Sequence, residues 1–554
     1  MHILRKLSKN SVFWIGIIAI IETLLFFKRG YFSIAGNDLS FQFTRIESLV
    51  NAFSHGEWPG LVSFWGNSNT GAAINGMYPW LTSMLFVIPR LVFAGHVYFG
   101  WMVGIAIVQF LSGLTMFVTV KRMFSRNGVG FMAGVLYMSS AYHLILIYQR
   151  FALAEFLAYS FVPLVFLGLY QILDGDRHGK YTLALGMALI INTHMLTAVT
   201  VIPFGALYVL LMWTKKHPNW QQIIEAFKAV LMTIIMMLAV LVPMLIISQK
   251  NHILMQQKFW GIDASAVDLV GAGKEAITFN LFGTSSPWTW HLDIVILAVF
   301  VIAIIAWLVQ LFRGKEKVLS ESTILALLAI FAAILPSNVV DWSLLEKFGF
   351  ALIQFPGRLL TYSGFFIIIF AASVFVKLNN KAILTSFISV SAVVVAVISI
   401  NLQVNRLQER GGLQPDINNI VTAKSSFLDY SIMPTGMKDK EARIFADTVA
   451  NNQVSDKYDI VAKNVKSNEL GMTINVKNAG EQTLPVFVYK GVKYKVRVDG
   501  SVQPVETKQG LLTVHADKIG ETAITISAVT PTWLIIVDVL TLISIGFVLY
   551  KMAK

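Results

Sequence analysis

The chain has 554 residues, of which 56% are hydrophobic and only 14% charged, a balance that excludes an ordinary soluble domain. Its formal net charge of +13 does not indicate a nucleic-acid partner, because most basic residues fall in short loops and at the ends of apolar runs, as the positive-inside bias requires. Cysteine is absent, which excludes disulfides, thiolate zinc sites, iron–sulfur clusters and a cysteine nucleophile.

The N-terminal stretch MHILRKLSKN is basic and precedes an apolar run over residues 11–27. This order predicts a first membrane helix with its N-terminus in the cytoplasm. A secretory signal peptide has a similar order, but no small-residue cleavage site follows the run. We therefore expect residues 11–27 to act as a membrane anchor.

Further apolar runs recur at close to the roughly 20 residues that a helix needs to cross a bilayer. Because backbone polar groups in lipid must be satisfied within helices, the runs predict a polytopic α-helical membrane protein with about 12–13 membrane helices. The runs after the first cover residues 77–94, 97–120, 128–148, 151–173, 181–197, 198–213, 227–247, 291–312, 319–335, 359–377, 382–400 and 531–551.

The basic loops KRMFSRN, DRHGKY, TKKHPNW, RGKEK and KLNNK and the terminal KMAK indicate which helix ends face the cytoplasm. Placing them all inside, together with both chain termini, requires an even number of crossings, so one run must fail to cross. The run 77–94, interrupted by Pro89 and Arg90, is the candidate for a re-entrant or tilted segment. An alternative fuses residues 181–213 into one bent helix, but it would move the segment around Arg150 to the cytoplasmic side.

Residues 401–530 have a different pattern, with strand-like alternation in GMTINVKN, LPVFVYKGVKYKVRVDG, LLTVHAD and TAITISAV between Gly and Asn turns. They predict a small extracytoplasmic β-rich domain. We expect Phe487, Tyr489 and Tyr494 to pack its core, and the alternative is that they bind a glycan ligand. The predicted organisation is therefore a membrane domain over 1–400, this domain over 401–530, and a final membrane helix with a cytoplasmic tail over 531–554.

The first loop, residues 28–76, contains the stretch GNDLSFQFTRIESLVNAFSHGEWPG, which predicts a short amphipathic helix. Asn37 or Asp38 is a suitable N-cap. The apolar stripe of this helix is Leu39, Phe43, Ile46, Val50 and Phe53, and a second face carries Asp38, Gln42 and Arg45. We expect the stripe to lie in the outer membrane interface, with Asp38 at the water boundary, where a lipid head group would arrive. The alternative is that Asp38 only caps the helix.

Other polar groups reach the same side of the membrane in the predicted topology. They are Arg150 and Glu155 in YQRFALAEFLAY, Asn192 and His194 in INTHML, the loop 248–290, and Gln354 and Arg358 in LIQFPGRLL. Ionisable residues at membrane depth are costly and usually face a cavity or a partner, so their convergence predicts a site. Each member also has a purely structural alternative: Arg150 can pair with Glu155, His194 can be a core histidine, and Arg358 can snorkel to a head group.

The first loop, with an acidic residue after the first helix, an amphipathic helix and the following YPW, resembles that of the membrane-embedded GT-C glycosyltransferases. The segments GNDLSFQFTRIESL…GEWP, QRFALAEFLAYSFVPLVFLGLY, NTHMLTAV and QFPGRLL, in this order, are similar to the bacterial YfhO-type membrane proteins. That group includes chains labelled 6-pyruvoyl-tetrahydropterin synthase-related. The resemblance runs from about residue 10 to 400, and the β-domain with its closing helix is also similar. The pterin label implies little, because no three histidines group here.

The resemblance implies a GT-C-like fold in the bacterial cell membrane. It also implies transfer of a sugar from a polyprenyl-phosphate donor to a cell-envelope glycan or glycolipid on the outer face. Asp38 corresponds to the catalytic acidic residue of the family and would act as general base in an inverting displacement. The residues assigned to binding the lipid phosphate or the substrate are Gln42, Arg45, Arg150, Glu155, His194, Gln354 and Arg358. Many GT-C enzymes use a divalent metal with a second acidic residue, for which Glu155 is the candidate, but the metal stays unassigned.

Two other functions stay open. A transporter or flippase could line its path with the same charges, although the related halves that many transporters show are not found in this sequence. A non-catalytic envelope-assembly protein could bind wall polymer through its β-domain.

Overall fold

The computed structural model describes residues 10–26, 38–256, 261–281, 289–379, 381–409 and 429–554, and the backbone of two short strands at 32–33 and 413–414. Asn37, the alternative cap of the first loop helix, and parts of the loop 248–290 lie outside the described residues. Helices make up most of what is described, as the apolar runs predict.

The helices follow one another closely along the chain. In order they are α1 (Ser11–Phe26), α2 (Leu39–Ser54), α3 (Ile74–Met77), α4 (Met84–Val92), α5 (Val97–Phe124), α6 (Asn127–Met138), α7 (Ala141–Tyr148), α8 (Leu153–Tyr159), α9 (Val162–Leu173), α10 (Gly179–Ile191), α11 (Met195–Lys216), α12 (Trp220–Met236), α13 (Leu238–Lys250), α14 (Leu269–Ile277), α15 (Ile294–Phe312), α16 (Glu321–Ile334), α17 (Trp342–Glu346), α18 (Leu360–Phe375), α19 (Lys381–Glu409), α20 (Asp439–Ala450) and α21 (Thr532–Ala553). Short 3₁₀ turns occur at Asn67–Asn69, Leu81–Ser83, Asp263–Ser265, Phe350–Ile353 and Pro356–Leu359.

Within the described ranges, 8 helical stretches are long and apolar enough to cross a membrane. Helices α12 and α13 are bent by 61° at their junction, and the number of candidate spans rises to 9 if these two helices form one span. The 8 stretches are Val97–Phe124, Asn127–Tyr148, Leu153–Leu173, Met195–Lys216, Ile294–Phe312, Pro356–Phe375, Lys381–Glu409 and Thr532–Ala553, and shorter apolar helices cover Ser11–Phe26, Leu81–Val92, Gly179–Ile191 and Glu321–Ile334. The chain is a multi-pass α-helical membrane protein, and each predicted run contains a helix.

Some helix boundaries differ from those predicted. The two runs predicted over 181–197 and 198–213 form two helices, but the break lies earlier, because α10 ends at Ile191 and α11 begins at Met195. Helix α19 continues to Glu409, beyond the end of the predicted apolar run 382–400. The polar end of α19 stays helical because it is packed: the buried Gln403 donates from Nε2 to the Tyr148 carbonyl at 3.2 Å.

The bundle is closely packed around α18, in which every residue is buried, as expected for a central helix that is apolar on all sides. Helices α5 and α6 approach each other at Gly113 and Gly134. A Cβ placed on Gly134 would lie 2.6 Å from the Gly113 carbonyl oxygen, so this crossing requires glycine.

Strand β1 (Phe32–Ser33) pairs with β2 (Leu413–Gln414). The C-terminal strands are β3 (Tyr458–Val465), β4 (Glu469–Val476), β5 (Gly480–Phe487), β6 (Lys493–Val498), β7 (Ser501–Gln503), β8 (Glu506–Lys508), β9 (Leu511–Ala516) and β10 (Gly520–Val529). They form two antiparallel sheets, a five-stranded one in the order β3-β4-β10-β6-β7 and a three-stranded one in the order β5-β9-β8. Phe487, Tyr489 and Tyr494 are buried in this region. Helix α20 was not predicted.

Helix α2 lies within the predicted segment, but its surroundings differ from those expected. The stripe from Leu39 to Val50 is buried by protein, and Phe43 stacks on Trp101 with ring centroids 4.7 Å apart. The prediction that this stripe lies in the membrane interface is therefore wrong. An apolar stripe shows which face of a helix is covered but does not show whether lipid or protein covers it.

The β-rich region packs against the first loop. The Ser467 amide donates to Asn51 Oδ1 at 2.8 Å, and the Asn468 side chain donates to the Trp58 carbonyl at 3.0 Å and accepts from the Gly60 amide at 3.1 Å. These bonds place the sheets on the same side of the helical bundle as the first loop.

Candidate functional site

Charged side chains from three segments of the chain meet at one end of the bundle. Arg150 Nη1 lies 3.0 Å from Glu155 Oε2, and Arg358 Nε lies 3.3 Å from the same oxygen. Arg150 Nη2 also lies 3.7 Å from Asp38 Oδ2. The structure thus brings Asp38, Arg150, Glu155 and Arg358 together, although Asp38 is far from the other three in sequence and Arg358 is far from them all. We call these residues the four-charge cluster.

Breaks between helices position the members of the cluster. Arg150 occupies the short break between α7 and α8, where Phe151 has a φ of 55°. The Arg150 carbonyl accepts a hydrogen bond from the Asp38 amide at 3.1 Å, which fixes the start of α2 beside this break. Arg358 belongs to the 3₁₀ turn that leads into α18. Backbone segments that leave the helical path therefore bring the side chains together.

Aromatic rings flank the guanidiniums of the cluster. Arg150 lies 4.7 Å from the Trp290 ring centroid and 5.0 Å from that of Phe355, and Arg358 lies 4.4 Å from the latter. Such cation–π contacts favour a desolvated guanidinium. They leave the planar donor edges of both arginines for anions, and so they fit a site that holds a carboxylate or a phosphate.

Glu155 is the fully engaged carboxylate of the cluster. Besides its two arginines it accepts a hydrogen bond from Tyr142 Oη at 2.8 Å, and its side chain is only 3% exposed. Removing two charges from water is costly unless each is paired and hydrogen-bonded, and Glu155 meets both conditions. The expectation that Arg150 can pair with Glu155 is confirmed, and Arg358 shares that partner.

Asp38 is the loosely held carboxylate of the cluster. It occupies the N-cap position of α2, but its side chain makes no capping hydrogen bond, so capping alone does not explain it. A third of this side chain is exposed, and its contact with Arg150 is long. Burial raises the pKa of the Asp38 carboxyl, and the Arg150 guanidinium partly offsets that effect. A carboxylate with free lone pairs and a raised pKa is suited to accept a proton.

Gln42 and Arg45 form a second polar group one turn further along α2. Arg45 is buried and donates to Gln42 Oε1 at 3.0 Å, to the Pro79 carbonyl at 3.0 Å and to Ser83 Oγ at 2.9 Å. The Tyr78 ring centroid lies 4.7 Å from its guanidinium carbon. No carboxylate among the described residues forms an ion pair with Arg45. Its positive charge is therefore held by neutral groups beside the cluster.

Gln354 and His194 lie at the edges of the cluster. Gln354 Oε1 accepts from Arg358 Nη2 at 3.2 Å, and its amide nitrogen contacts Gln256. His194 makes its hydrogen bond with Thr197 Oγ1, at 2.8 Å through Nδ1, which fits the structural alternative for this histidine. Electrostatic interaction with Glu155 still reaches His194, but no hydrogen bond joins His194 to the four charges in the described structure.

Several side chains of the site were not found in the sequence. Tyr142 and Trp290 lie in apolar or loop sequence where an aromatic residue is ordinary, so no pattern marks them. Tyr78 is the first residue of the YPW segment quoted for the resemblance, but its contact with Arg45 has no sequence signal. Phe355 lies in the QFPGR segment quoted for the resemblance, next to Arg358, but its role as a platform for two guanidiniums has no sequence signal. These contacts depend on tertiary structure alone.

The donor set does not fit a divalent metal. Glu155, the candidate second ligand, already binds both arginines, and the charge of Asp38 faces Arg150. Within the part of the chain that the structure describes, no group of three or more His, Asp or Glu side chains could hold a metal ion. A dication would have to replace the guanidiniums that neutralise these carboxylates.

No protein-family model and no curated protein sequence matches the chain. Solved structures of a mycobacterial enzyme resemble it in part. One is the cryo-EM structure of the arabinofuranosyltransferase AftD from mycobacteria, with a TM-score of 0.43 and 15% identity over 71% of this chain and 27% of that chain. A mutant of that enzyme has a TM-score of 0.42 and 15% identity over 70% of this chain and 27% of that chain. The chain thus matches about a quarter of the length of these structures, and the match transfers no activity to it.

Proposed function

We propose that the protein is a membrane glycosyltransferase that moves a sugar from a polyprenyl-phosphate donor to a cell-envelope glycan or glycolipid on the outer face. The observation that carries the proposal is the four-charge cluster, in which one accessible carboxylate lies beside two arginines stacked on aromatic rings. The proposal places both termini in the cytoplasm and the β-rich region outside, on the side of Asp38. The resemblance of the sequence to the GT-C glycosyltransferases also supports the proposal.

Asp38 is the general base in this proposal. It takes the proton of the acceptor hydroxyl as that oxygen forms a bond to the anomeric carbon. The bond from the anomeric carbon to the lipid-phosphate oxygen breaks, and its electron pair leaves with the phosphate. Attack opposite to the leaving group inverts the anomeric centre. The free lone pairs and raised pKa of Asp38 suit this role.

The arginines stabilise the leaving group. Arg150 Nη2 lies 3.7 Å from Asp38 Oδ2, which is longer than a hydrogen bond. A phosphate oxygen of the donor can therefore bind Nη2 at a shorter distance than Asp38 does. Arg358 presents a second guanidinium, and Gln354 orients it. Glu155 keeps both arginines in place, because its two ion pairs use one oxygen while Tyr142 binds the other. Arg45, which Gln42 holds, adds a positive charge that forms no ion pair with a carboxylate of the described residues, and His194 borders this group.

The test compares envelope glycans in cells that carry the wild-type gene, a deletion or the variant Asp38→Asn. We expect one glycan decoration to disappear in the deletion strain and in the variant, while the variant protein reaches the membrane in normal amounts. Asp176→Asn is the matched control, because Asp176 lies in the turn between α9 and α10, outside the site, and there bonds to His178. A decoration that persists in Asp38→Asn cells, with the deletion strain lacking it, contradicts the transferase mechanism and favours a flippase or an assembly protein.

A further inference from the structure

Two short segments beside the four-charge cluster expose large apolar side chains. The first is helix α14, residues 269–277, and the second is residues 339–353, which include α17 and the 3₁₀ turn at Phe350–Ile353. We call them together the apolar lip. Its exposed members are Leu269, Val270, Ile277, Val339, Leu344, Phe348, Phe350 and Leu352, with Val270 at 84% and Phe348 at 73%. Apolar surface of this extent, gathered in one place, marks an interaction surface.

Backbone hydrogen bonds join the two segments into one structure. The Val267 amide donates to the Pro336 carbonyl at 2.9 Å, and the Asn338 amide donates to the Val267 carbonyl at 2.9 Å. Trp342 is buried under the second segment and donates from Nε1 to the Ser337 carbonyl at 3.2 Å. The exposed apolar side chains therefore belong to a backbone that these hydrogen bonds hold in place.

The lip borders the arginines of the cluster. Arg358 donates from Nη1 to the Ile353 carbonyl, the last residue of the lip, at 3.2 Å. A Cβ placed on Gly357 would lie 2.7 Å from the Trp290 ring and 3.5 Å from Val267 Cγ2. The base of the lip and the aromatic platform of Arg150 thus contact the same turn.

The second segment of the lip follows closely in sequence on a helix that exposes an apolar face. Helix α16 exposes Leu327, Phe331 and Ile334 towards its end, and the chain then runs directly to Val339. Lys274 and Lys347 are exposed at the lip itself, where their charges can meet lipid phosphates. The same hydrocarbon that covers α16 can therefore cover the lip.

We propose that the apolar lip is embedded in the bilayer leaflet on the Asp38 side and contacts the hydrocarbon chain of a lipid whose phosphate reaches Arg150 and Arg358. The exposed apolar side chains of the lip and its position soon after α16 in the chain support its insertion. Its role in receiving the donor rests on the proposed function. The lip thereby deepens that function by naming the chain of the lipid as a recognised part of the substrate.

Insertion can be measured directly, because a chain without cysteine accepts single labels. Phe348→Cys and Val270→Cys, each labelled with a fluorophore, are placed in phosphatidylcholine–phosphatidylglycerol vesicles that contain brominated phosphatidylcholine. Ile305→Cys in α15, exposed to 57%, is the lipid control, and Val502→Cys in the β-rich region, exposed to 73%, is the water control. We expect both lip labels to be quenched like the lipid control. Quenching as weak as that of the water control overturns the proposal.

The role in donor binding has a separate readout. We expect Phe348→Asp to raise KM for a long-chain lipid-linked sugar about tenfold, with kcat unchanged and with no effect on a donor whose chain is short and water-soluble. Val502→Asp should change neither value. An equal loss with both donors would show that the lip is only structural. If the wild-type protein transfers sugar from no donor, the proposed function fails while the quenching result still decides whether the lip is embedded.

Discussion

Helix α2 carries two carboxylates, Asp38 before its first turn and Glu47 in its middle, and their surroundings differ. Glu47 accepts from Arg90 at 2.7 and 3.0 Å and from Trp101 Nε1 at 3.0 Å. Asp38 has one long contact, with Arg150 at 3.7 Å, and no capping bond. The side chain of Glu47 is 12% exposed and that of Asp38 is 33% exposed. A carboxylate whose lone pairs are used holds the fold together, whereas one whose lone pairs are free can take part in chemistry.

The largest expected effect is on turnover. Asp38→Asn keeps the size of the side chain but removes the base of the proposed reaction, so we expect sugar transfer to fall by about 10²–10⁴-fold. The midpoint of thermal unfolding in detergent should stay close to that of the wild type, since the lost contact is long. The measurement is transfer from a polyprenyl-phosphate sugar in proteoliposomes. A variant that is inactive because it unfolds would abolish the distinction between Asp38 and Glu47.

Glu47→Gln should show the opposite pattern. Removing one partner of a buried ion pair leaves Arg90 without its counter-charge, which costs about 3–5 kcal/mol of folding free energy. The midpoint of thermal unfolding should therefore fall, while transfer per folded molecule stays close to the wild-type value. The double variant Glu47→Gln, Arg90→Met removes both charges and should recover part of the loss. Equal destabilisation in the single and double variants would show that the ion pair is not the cause.

Arg358→Lys tests the planar donors of the cluster. A lysine keeps the charge but loses the fork that binds Glu155 and Gln354 together, and it stacks less well on Phe355. We expect KM for the lipid-linked donor to rise about tenfold, the equivalent of one charge-assisted hydrogen bond. Lys477→Arg, on the exposed surface of the sheets, is the control. An unchanged KM would remove Arg358 from the phosphate site.

The pH profile tests the state of Asp38. Because burial raises its pKa, the carboxyl becomes protonated at a higher pH than an exposed aspartate, whose pKa is about 3.9. Activity should be complete above the raised pKa and should be lost as the pH falls through it. The acid limb of the kcat/KM profile should therefore lie at a higher pH than it would for an exposed aspartate. Arg150→Gln removes a charge that lowers this pKa, so its residual activity should show a limb at higher pH. An acid limb at the same pH in Arg150→Gln and in the wild type would show that the titrating group is not Asp38.

The smallest expected effect is that of Tyr142→Phe. This variant removes one hydrogen bond to Glu155, worth about 1 kcal/mol, while both arginines remain. We expect transfer to fall about fivefold and the preference for Arg358 over a lysine at that position to persist. Tyr208→Phe is the comparison, since Tyr208 Oη is buried and has no hydrogen-bond partner in the described structure. Equal losses in the two tyrosine variants would argue against a special role for Tyr142.

Hydropathy and length were sufficient to locate the membrane helices, because a bilayer imposes a narrow requirement on any chain that crosses it. The meeting of Arg150, Glu155 and Arg358 was predicted on the same ground, since buried charges must find partners. The end of α19 was missed because Gln403 is polar in the sequence, and its hydrogen bond to the Tyr148 carbonyl is visible only in the structure. Whether α2 faces lipid or protein depends on its neighbours in the tertiary structure, which the periodicity of its sequence does not show.

The first loop is joined to the last helix as well as to the sheets. The Trp58 indole donates to Asp538 Oδ2 in α21 at 2.9 Å, and Asp538 is fully buried. A ribosome makes Trp58 long before it makes Asp538, and Ser467 and Asn468 also come late. The loop that begins with Asp38 therefore reaches its final packing only after the closing segment has entered the bilayer, so a protein whose synthesis stops early would contain all four charges but would lack the contacts that hold this loop in place.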